Sequence, residues 1–593
     1  MKYYRSHVLF CVDPECLKKG AHEAMDAFQD ELVAQGLIDE VQVLETSRIG
    51  GCADGPEMMV YPEGVHYSSF TPDDMAYIVE EHFLKGRTAT KFVTEDKKVM
   101  DEELSAPTSK EIRVVLRNCG QIDPENIEDY LAEDGYQALG KVLSEDSPEQ
   151  VIDIVLRSGL RGRGGAGVPT GKKWQFARAS AETPKYIICN ADEGDPGAFM
   201  NRRVLEGDPH SVLEGMIIGA YAIGSNQGYI YCRAEYPIAV RTLNIAIKQA
   251  RAMGLLGKNI MGSGFDFDLE VRMGAGAFVC GEETALMSSI EGRRGEPRPR
   301  PPFPAVKGLF MKPSNINNVE TFSNIPQIIL HGPEWYASMG TEKSKGTKTF
   351  ALAGDVKHTG LIEVPFGLTL REIIFDVGGG IKDDKEFKAI QTGGPMGGCL
   401  PSEFLDLHMD YEELAKAGSI MGSGGLVVMD EGTCMVDIAR FFMEFTQDES
   451  CGKCTPCRVG TRRILEILQR ICDGKGQDGD IETLEMLCTQ IKSTSLCGLG
   501  QGAPNPVEST LKHFMDEYKA HIYEKRCPAK VCKSLIRYEI LEGVCTGCTV
   551  CARNCPVSAI TGERRQTHII DPDVCIRCGI CMQVCNFNAI VIN

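Results

Sequence analysis

The chain has 593 residues, which at ~150 residues per domain predicts about four domains, each able to bury a core. Its formal charge of −20 and pI near 5.2 argue against nucleic acid or an anionic membrane surface as a partner. We find no signal peptide and no apolar stretch near the ~18 residues that cross a bilayer, which predicts a cytoplasmic protein. In a reducing compartment, the 25 cysteines are expected to bind metal rather than to form disulfides.

Residues 1–90 alternate β-like runs with amphipathic helices and predict a small α/β domain. The runs 7–12 and 41–44 predict strands, 21–35 predicts a long helix between them, and 72–84 predicts a last helix. Residues 91–111 are polar and rich in Lys and Glu, and therefore predict a linker.

Residues 112–340 are rich in glycine. The first glycine-rich loop of this region, at 159–171, has the composition of a phosphate-binding loop. The loop contains a formal G-x-G-x-x-G, but the preceding segment 148–158 has the pattern of a helix. The usual dinucleotide fingerprint follows a strand, so an ordinary Rossmann unit is disfavoured. Backbone without side chains, close to Arg163, Lys172 and Lys173, nevertheless predicts a cradle for phosphate.

Three more polar loops follow in the same region. The first, 190–197, comes directly after a strand-like run at 186–189. The second, 274–284, is rich in glycine and opens a helix, and the third, 315–321, supplies caps at another helix start. Each loop taken alone is more simply explained as an ordinary capped loop.

The segments 341–425 and 426–525 predict two further domains. In the first, strand-like runs at 349–353 and 360–364 and a helix capped by Thr369 indicate a ubiquitin-like β-grasp. In the second, helical periodicity predicts a small bundle. This bundle carries a C-x-x-C-x-x-C triplet and one remote Cys, a standard set for closing a [4Fe–4S] cubane. The predicted ligands are Cys451, Cys454, Cys457 and Cys497.

The tail, residues 526–593, contains two copies of C-x-x-C-x-x-C-x-x-x-C. Three closely spaced thiolates hold one corner of a cubane, and the fourth Cys of each copy reaches across to the other cluster. Paired zinc ribbons would use two C-x-x-C pairs separated by a longer loop, so we reject them. One predicted [4Fe–4S] cluster is held by Cys545, Cys548, Cys551 and Cys585, and the other by Cys575, Cys578, Cys581 and Cys555.

Cys527 and Cys532 precede this tail, with His521 upstream and His568 between the two cysteine runs. They predict either a small structural zinc site or two half-buried thiols in a hinge.

The polar loops of residues 112–340, on a chain with three predicted clusters, together indicate a flavin.

These motifs closely resemble the NADH-oxidising flavoprotein subunit of respiratory complex I and its soluble relatives. Those relatives are the beta subunits of electron-bifurcating [FeFe] hydrogenases, NADP-reducing hydrogenases and NAD-dependent formate dehydrogenases. The resemblance covers residues 112–525 and is carried by GRGGAG, NADEGDPG, GAGAFVCGEET, NINNVET and ESCGKCTPCR with its remote SLCGLG. The N-terminal extension and the ferredoxin tail match the soluble subunits.

The resemblance implies a multidomain α/β fold: thioredoxin-like (1–90), Rossmann-like FMN and dinucleotide-binding (112–340), ubiquitin-like SLBB (341–425), helical bundle (426–525) and ferredoxin (526–593). It implies hydride transfer between NAD(P)H and FMN, with Glu193 and Glu282 as candidate catalytic carboxylates. The implied cofactor-binding residues are Gly162, Arg163, Gly164, Lys173, Asn190, Asp192, Glu193, Phe278, Gly281, Glu282, Asn317, Asn318 and Thr321. The dinucleotide is expected near Phe176, Asp195, Glu283 and Phe303.

The chain departs from this family at several positions. Val168 stands where a Phe is usual, Phe278 where a Tyr is common, and Arg300 where a Lys is usual. An Arg fork suits phosphate, so nucleotide preference is open, with NAD(H) favoured over NADP(H). In the N-terminal domain, Cys11, Cys16 and Cys52 match a [2Fe–2S] set. The third position is Arg48, so we expect a degenerate site, or one completed by Asp54.

The expected partners lie on other chains, because no hydrogenase or molybdopterin motif is visible here. They are a [2Fe–2S] thioredoxin-like small subunit, a ferredoxin and a second catalytic subunit. The last would be a hydrogenase, a formate dehydrogenase or a transhydrogenase-like flavoprotein, in a complex that bifurcates electrons. The rival interpretation is a non-catalytic electron relay with an impaired dinucleotide pocket.

Overall fold

The protein is a multidomain α/β chain, and the computed structural model describes residues 4–46, 49, 55–93, 110–274 and 278–592. It divides into two compact units. The first comprises Met1–Gly380, Leu405–Leu414 and Met421–Val427. The second comprises Ile381–Phe404, Ala415–Ile420 and Val428–Asn593. No helix in the described part of the chain is both long and apolar enough to cross a membrane.

The first unit begins with a four-stranded sheet in the order β2-β1-β3-β4, in which only β1 and β2 are parallel. Alternating apolar residues of β1 bury Val8 and Phe10 against Phe28 of the long helix, as the periodicity predicts. The elements are β1 (Ser6–Cys11), α1 (Pro14–Leu17), α2 (Ala21–Ala34), β2 (Val41–Thr46), β3 (Glu57–Tyr61), β4 (Val65–Ser68) and α3 (Met75–Ile78), which continues as a π-helical segment, Val79–Leu84.

A parallel four-stranded sheet in the order β7-β6-β5-β8 forms the centre of the first unit. The predicted helix at 148–158 is confirmed, with a capping box at Ser147 and the left-handed Gly159 at its end. The elements are α4 (Ile127–Ala132), α5 (Gln137–Glu145), α6 (Pro148–Ser158), α7 (Thr170–Ala179), β5 (Tyr186–Ala191), α8 (Met200–Gly207), α9 (Pro209–Ile223), β6 (Gln227–Arg233), α10 (Pro237–Ala252), β7 (Asp268–Gly274), α11 (Glu283–Ile290), α12 (Pro304–Lys307), β8 (Ser314–Asn318), α13 (Val319–His331) and α14 (Pro333–Ala337).

An antiparallel pair, β9 (Thr347–Gly354) and β10 (Gly360–Pro365), follows in the first unit. The predicted cap at Thr369 is confirmed, because its N–H donates to Glu372 while its hydroxyl accepts from the Glu372 N–H. This helix is π-helical over Glu372–Val377. The last two elements before the bundle are α15 (Tyr411–Lys416) and β13 (Gly425–Asp430).

The second unit contains the antiparallel pair β11–β12, a helical bundle and a small tail of two antiparallel strand pairs, β14–β17 and β15–β16. Apolar faces of the bundle helices bury Ile464, Leu468, Leu484 and Ile491 in one core, as their helical spacing predicts. The elements are β11 (Phe387–Thr392), β12 (Gly398–Pro401), α16 (Met435–Asp448), α17 (Thr455–Cys472), α18 (Asp480–Thr494), α19 (Gly498–Gly502), α20 (Asn505–His513), α21 (Met515–Lys519), β14 (Tyr538–Ile540), α22 (Val550–Asn554), β15 (Ile560–Thr561), β16 (Ile569–Ile570), α23 (Ile580–Gln583) and β17 (Ile590–Ile592).

Candidate functional site

The parallel sheet has a switch point between β5 and β8, where a ligand crevice is expected. From β5 the chain moves outward to β6 and β7, and then returns to the other side of β5 as β8. Asn190 and Asn318 face each other in register at the carboxyl ends of these two strands. Asn190 donates to the Gly281 carbonyl at 2.8 Å, and its own side-chain oxygen accepts from the Asp192 N–H. The structure thus brings three of the predicted polar loops to one edge of the sheet.

The glycine-rich loop lies beside the same strand ends. A Cβ added at Gly164 would lie 3.2 Å from the Cβ of Asn318, so the loop backbone can approach Asn318 because it lacks a side chain there. Thr321 accepts the Arg163 N–H at 2.9 Å, and the Gly162 carbonyl accepts from the Tyr411 hydroxyl. The backbone of this loop is therefore held in place by hydrogen bonds from side chains.

The side chain of Arg163 does not form the phosphate cradle that the sequence predicts. It is buried, and its guanidinium donates to the Tyr336 hydroxyl and to the carbonyls of Lys345, Thr347 and Arg161. All of these are structural contacts, because a buried guanidinium must have its donors satisfied. Lys173 of the same predicted cradle does lie at the crevice, 3.5 Å from Glu283, and donates to the Ile316 carbonyl.

Asn317 lies deeper than its neighbour Asn318. It is 4% exposed, and its side-chain oxygen accepts from the Trp174 indole at 3.0 Å and from the Asn315 amide at 2.7 Å. Asn318 instead caps α13 by accepting the Glu320 N–H. The two residues predicted to hold one cofactor thus make different hydrogen bonds, one inside the protein core and one at a helix start.

Glu193 is the most deeply buried carboxylate of the acidic loop, at 4% exposure. Its two oxygens accept the N–H groups of Asn201 and Arg202 at 3.0 and 3.1 Å, in the first turn of α8. Burial raises the pKa of Glu193 to about 7, and Asp195 adds to that rise, while the two N–H donors and Lys348 oppose it. A carboxyl with this pKa can hold or release a proton near neutral pH.

Asp195 lies on the same loop and is held by the Ser423 hydroxyl, which donates to Oδ2. Burial raises the pKa of Asp195 to about 6, while the hydrogen bond from Ser423 and the charge of Arg233 lower it. Asp195 Oδ1 and Arg233 Nε are buried without a hydrogen-bond partner among the described residues. Such orphaned polar atoms are expected where a polar ligand binds, so the crevice fits FMN and a dinucleotide.

The start of α11 contributes two more carboxylates. Glu282 caps the helix by accepting the N–H groups of Thr284 and Ala285 at 2.9 and 3.0 Å. Glu283 accepts from the Arg300 guanidinium at 2.8 Å, and Arg300 also lies 3.7 Å from Glu282. The guanidinium of Arg300 is thus already paired with carboxylates of the protein.

The apolar residues predicted beside the dinucleotide are largely exposed: Phe176 is 65%, Phe303 57% and Val168 45% exposed. Phe278 lies next to Gly194, where an added Cβ would come within 2.9 Å of its ring. The rings of Phe176 and Phe303 are thus accessible for stacking with a flat ligand.

The cysteines of the helical bundle converge as predicted from spacing. Burial raises the pKa of the Cys457 thiol to about 11, and the nearby thiols of Cys454, Cys497 and Cys451 add to that rise. The Ser450 hydroxyl lies 3.2 Å from Cys457 Sγ. Four thiolates this close together would repel one another. A positively charged iron–sulfur core bound to them would remove that repulsion, so the set fits a [4Fe–4S] cluster.

Two cavities in the tail contain the two predicted cysteine sets. The first is lined by Cys545, Cys548, Cys551 and Cys585, and the second by Cys575, Cys578, Cys581 and Cys555. Burial, and then neighbouring thiols of the same set, raise the pKa of Cys551 and of Cys581, the latter to about 11. Each cavity thus receives its fourth thiol from the opposite copy, which fits a [4Fe–4S] cluster in each.

A further group of possible metal ligands combines Cys434, His521, Cys527 and Cys532, whose ligand atoms all lie within 4.8 Å of one another. The Glu517 carbonyl accepts from His521 Nδ1 at 2.7 Å, which leaves Nε2 3.3 Å from Cys434 Sγ. Backbone N–H groups of Val531 and Cys532 donate to Cys527 Sγ. A buried set of three Cys and one His suits tetrahedral zinc.

This group differs from the predicted one by a single exchange. His568 is not part of it, because it lies between the strands β15 and β16 and lines the first tail cavity. Cys434 takes its place from the start of α16, 87 positions before His521. No local spacing signals Cys434, which only the folding of the bundle brings close.

The N-terminal site is only partly described. Cys11 and Cys16 are buried and pack together with Ala21, and Cys16 Sγ lies 3.7 Å from the Gly55 carbonyl. Arg48, Cys52 and Asp54, on which the expected degenerate site depends, lie outside the described residues.

Three family models match separate parts of the chain. They are the Nuo51 FMN-binding domain over 155–327, the NADH-ubiquinone oxidoreductase-F iron-sulfur binding region over 437–521, and a 4Fe-4S dicluster domain over 544–589. The first contains the crevice, the second the bundle cysteines, and the third both tail cavities.

Among curated relatives, the chain is 58% identical over 482 residues to the NADP-reducing hydrogenase subunit HndC of Solidesulfovibrio fructosivorans. That match covers 81% of this chain and 98% of the relative. The chain is 47% identical to the F 2 component of the NADH-quinone oxidoreductase of Rhizobium meliloti, over 70% of this chain and 99% of that one. The structure of an NAD+-reducing [NiFe]-hydrogenase in the H2-reduced state matches with a TM-score of 0.62 and 29% identity, over 88% of this chain and 84% of that one.

Proposed function

We propose a function for this chain from the family to which it belongs, the FMN-binding NADH-quinone oxidoreductase F subunits and related hydrogenase subunits, which makes it a flavin-dependent oxidoreductase of the NAD(P)H dehydrogenase type. From this premise we propose that hydride from NADH enters at the crevice between β5 and β8, and that electrons leave through three [4Fe–4S] clusters. The observation that carries the proposal is the convergence of Asn190, Glu193 and Asn318 at the switch point of the sheet.

The residues of the crevice have distinct tasks in this proposal. FMN, when bound, accepts an electron pair with a proton and passes electrons on singly. Lys173 supplies positive charge, and Asn190 and Asn318 supply amides at the strand ends. Glu193 holds or releases a proton at its carboxyl, since its pKa is about 7. Glu282 keeps the start of α11 in place through its cap.

We propose NADH rather than NADPH as the preferred nucleotide. The 2′-phosphate that distinguishes NADPH from NADH would need a free guanidinium to bind it, but that of Arg300 is already paired with Glu283. The carboxylate of Glu283 would also repel a phosphate placed near it. HndC, by its name, belongs to an NADP-reducing hydrogenase, so this proposal separates the present chain from that relative.

A stopped-flow experiment tests the crevice directly. The anaerobic full-length protein is mixed with NADH or NADPH, and flavin bleaching is followed beside a Glu193→Gln variant. We expect rapid bleaching by NADH and slower bleaching by NADPH. The Glu193→Gln variant should lose the pH dependence near 7 while keeping bound flavin. Flavin-containing protein that neither nucleotide bleaches would instead support the relay interpretation.

We propose in addition that Cys434, His521, Cys527 and Cys532 bind a structural zinc ion. Their burial and their backbone N–H···S bonds support this role, since structural zinc sites are closed to solvent. Metal analysis of Cys434→Ser should show about one zinc fewer per chain than the wild type. The same variant should keep its iron, and an unchanged zinc content would contradict the site.

The surrounding assembly also belongs to this proposal. Residues 1–90 would be a thioredoxin-like docking domain, and 341–425 a ubiquitin-like domain. The tail would pass electrons to a ferredoxin, and a [2Fe–2S] small subunit and a second catalytic subunit would complete an electron-bifurcating complex. Support comes from the hydrogenase subunit that the chain resembles over 98% of that relative's length. Co-purified subunits identified by mass spectrometry would test it.

A further inference from the structure

The carboxylate of Glu193 is held by a short helix whose other contacts reach into the N-terminal domain. Arg202 of α8 donates its backbone N–H to Glu193 at 3.1 Å. Its guanidinium donates to Glu40 of the N-terminal domain at 2.5 Å and to Glu206, one turn further along α8, at 2.8 Å. One residue therefore joins the candidate catalytic carboxylate to a different domain.

Four charged side chains form a ring across this interface. Arg5 lies 3.1 Å from Glu40 and 3.6 Å from Glu206, while Arg202 contacts both of these carboxylates. The side chains of Arg5, Glu40, Arg202 and Glu206 are 21%, 17%, 13% and 7% exposed, so water screens the ring only weakly. Removing one member of such a partly buried ring leaves its partners uncompensated, and they must move or rehydrate.

Three further contacts connect the same helix turn to the N-terminal domain and to Glu193. Arg203 donates to the Gly86 carbonyl at 2.8 Å, and a Cβ at Gly86 would come within 2.0 Å of its guanidinium. On the crevice side, the Arg202 guanidinium lies over the Tyr236 ring at 4.9 Å, and the Tyr236 hydroxyl donates to the Glu193 carbonyl at 2.8 Å. The first turn of α8 is thus held between the N-terminal domain and Glu193.

We propose that the N-terminal domain positions the Glu193 carboxylate through Glu40 and Arg202, which act as positioning residues for hydride chemistry in the crevice. The inference rests on the proposed function, because it assigns Glu193 to that chemistry. It gives the N-terminal domain a task that does not depend on any cluster of its own.

The expected direction follows from the two hydrogen bonds at Glu193. The N–H groups of Asn201 and Arg202 favour its ionised form, so a looser α8 would raise its pKa above about 7. The charged or titratable groups that face Glu193 are Asp195, Lys348, Arg202, Arg233, Tyr236 and Cys232.

Two variants of Glu40 separate position from charge. Glu40→Asp keeps the charge but shortens the side chain, and Glu40→Gln removes the charge. We expect both to move the pH midpoint of NADH-driven flavin bleaching upward by about half a unit or more. The exposed Glu45→Gln, in strand β2 of the same domain, is the matched control and should match the wild type. Flavin content and circular dichroism confirm that each variant is folded.

Each outcome decides the proposal. Unchanged midpoints in both Glu40 variants would overturn it, as would a downward shift. An upward shift in Glu40→Gln alone would also overturn it, because Glu40→Asp draws the carboxylate away from Arg202 and should shift the midpoint as well. If the wild type holds flavin that NADH does not bleach, the proposed function fails. The pH dependence of the flavin's mediated reduction potential then still tests the link to Glu40. A chain that binds no flavin would overturn both.

Discussion

The crevice of the first unit and the cysteine sites of the second are stabilised in different ways. At the crevice, polar groups are satisfied largely by the protein itself: Glu193 by a helix turn, Asn317 by Trp174, and Asp195 by Ser423. At the cysteine sites, burial and then neighbouring thiols raise the pKa of Cys457 and Cys581, and a bound metal would favour the thiolate form instead. The hydrogen bonds of the crevice therefore do not depend on a ligand, whereas metal binding by the clustered thiols requires the loss of their protons.

The largest expected effect is the loss of a whole cluster from the tail. Cys585→Ala should empty the first cavity and Cys555→Ala the second, because each thiol crosses to the opposite copy. Each variant should lose roughly four irons per chain and one set of [4Fe–4S] signals. Iron analysis and EPR measure both losses. Cys488→Ala, a buried thiol in the bundle core, is the control and should retain all iron. Loss of the same cluster in both variants would contradict the crossing.

The next effect sharpens the claim that the crevice region is stabilised by its own protein contacts. Glu320 and Lys348 form a buried ion pair with an N···O distance of 2.5 Å, and Glu320 also accepts the Thr349 N–H. Glu320→Ala leaves a buried ammonium unpaired and should cost about 3–5 kcal/mol in the free energy of unfolding of this unit. Denaturant-induced flavin release measures that cost. Glu334→Ala breaks the exposed pair with Arg157 and should cost at most about 1 kcal/mol. Equal costs would contradict the account.

A smaller effect concerns the ionisation of Asp195. Its pKa of about 6 lies above the usual range, and the Ser423 hydroxyl keeps it from rising further. Ser423→Ala should therefore raise this pKa, while Ser423→Thr, which keeps the hydroxyl, should not. A native pKa above the unfolded one means that Asp195 favours folding at low pH. This contribution is lost as pH rises through about 6. Infrared spectroscopy measures this pKa from the carboxyl band that Asp195→Asn abolishes. If Ser423→Ala leaves the titration midpoint of that band unchanged, the role of Ser423 is refuted.

The smallest effect tests nucleotide choice. Arg300→Gln removes one of the two cations that pair with Glu283 in the described part of the chain, so the crevice becomes more negative. The ratio of kcat/KM for NADPH to that for NADH should then fall up to about fivefold, since exposed ion pairs are worth at most about 1 kcal/mol. Steady-state dye reduction measures it, with Arg293→Gln on the exposed surface as a control. A rise in the ratio would show that Glu283 does not repel the phosphate.

Residues that are close in sequence were the predictable ones. The cysteine spacing groups the same eight residues that line the two tail cavities, and helical periodicity predicts the bundle that the structure contains. The side chain of Arg163 was expected at phosphate, but burial turned it toward Tyr336. Cys434, Ser423 and Glu40 join their sites across long stretches of chain, so no local pattern could reveal them. Sequence therefore predicts motifs, and tertiary packing decides which side chains complete them.

The most direct test of the central claim is an anaerobic titration of the full-length protein with NADH, followed by EPR at low temperature. The account predicts that flavin bleaching is accompanied by reduced [4Fe–4S] signals, and that Cys585→Ala and Cys555→Ala each remove a different part of that spectrum. Flavin bleaching without any cluster signal would contradict the passage of electrons from the crevice to the cysteine sites.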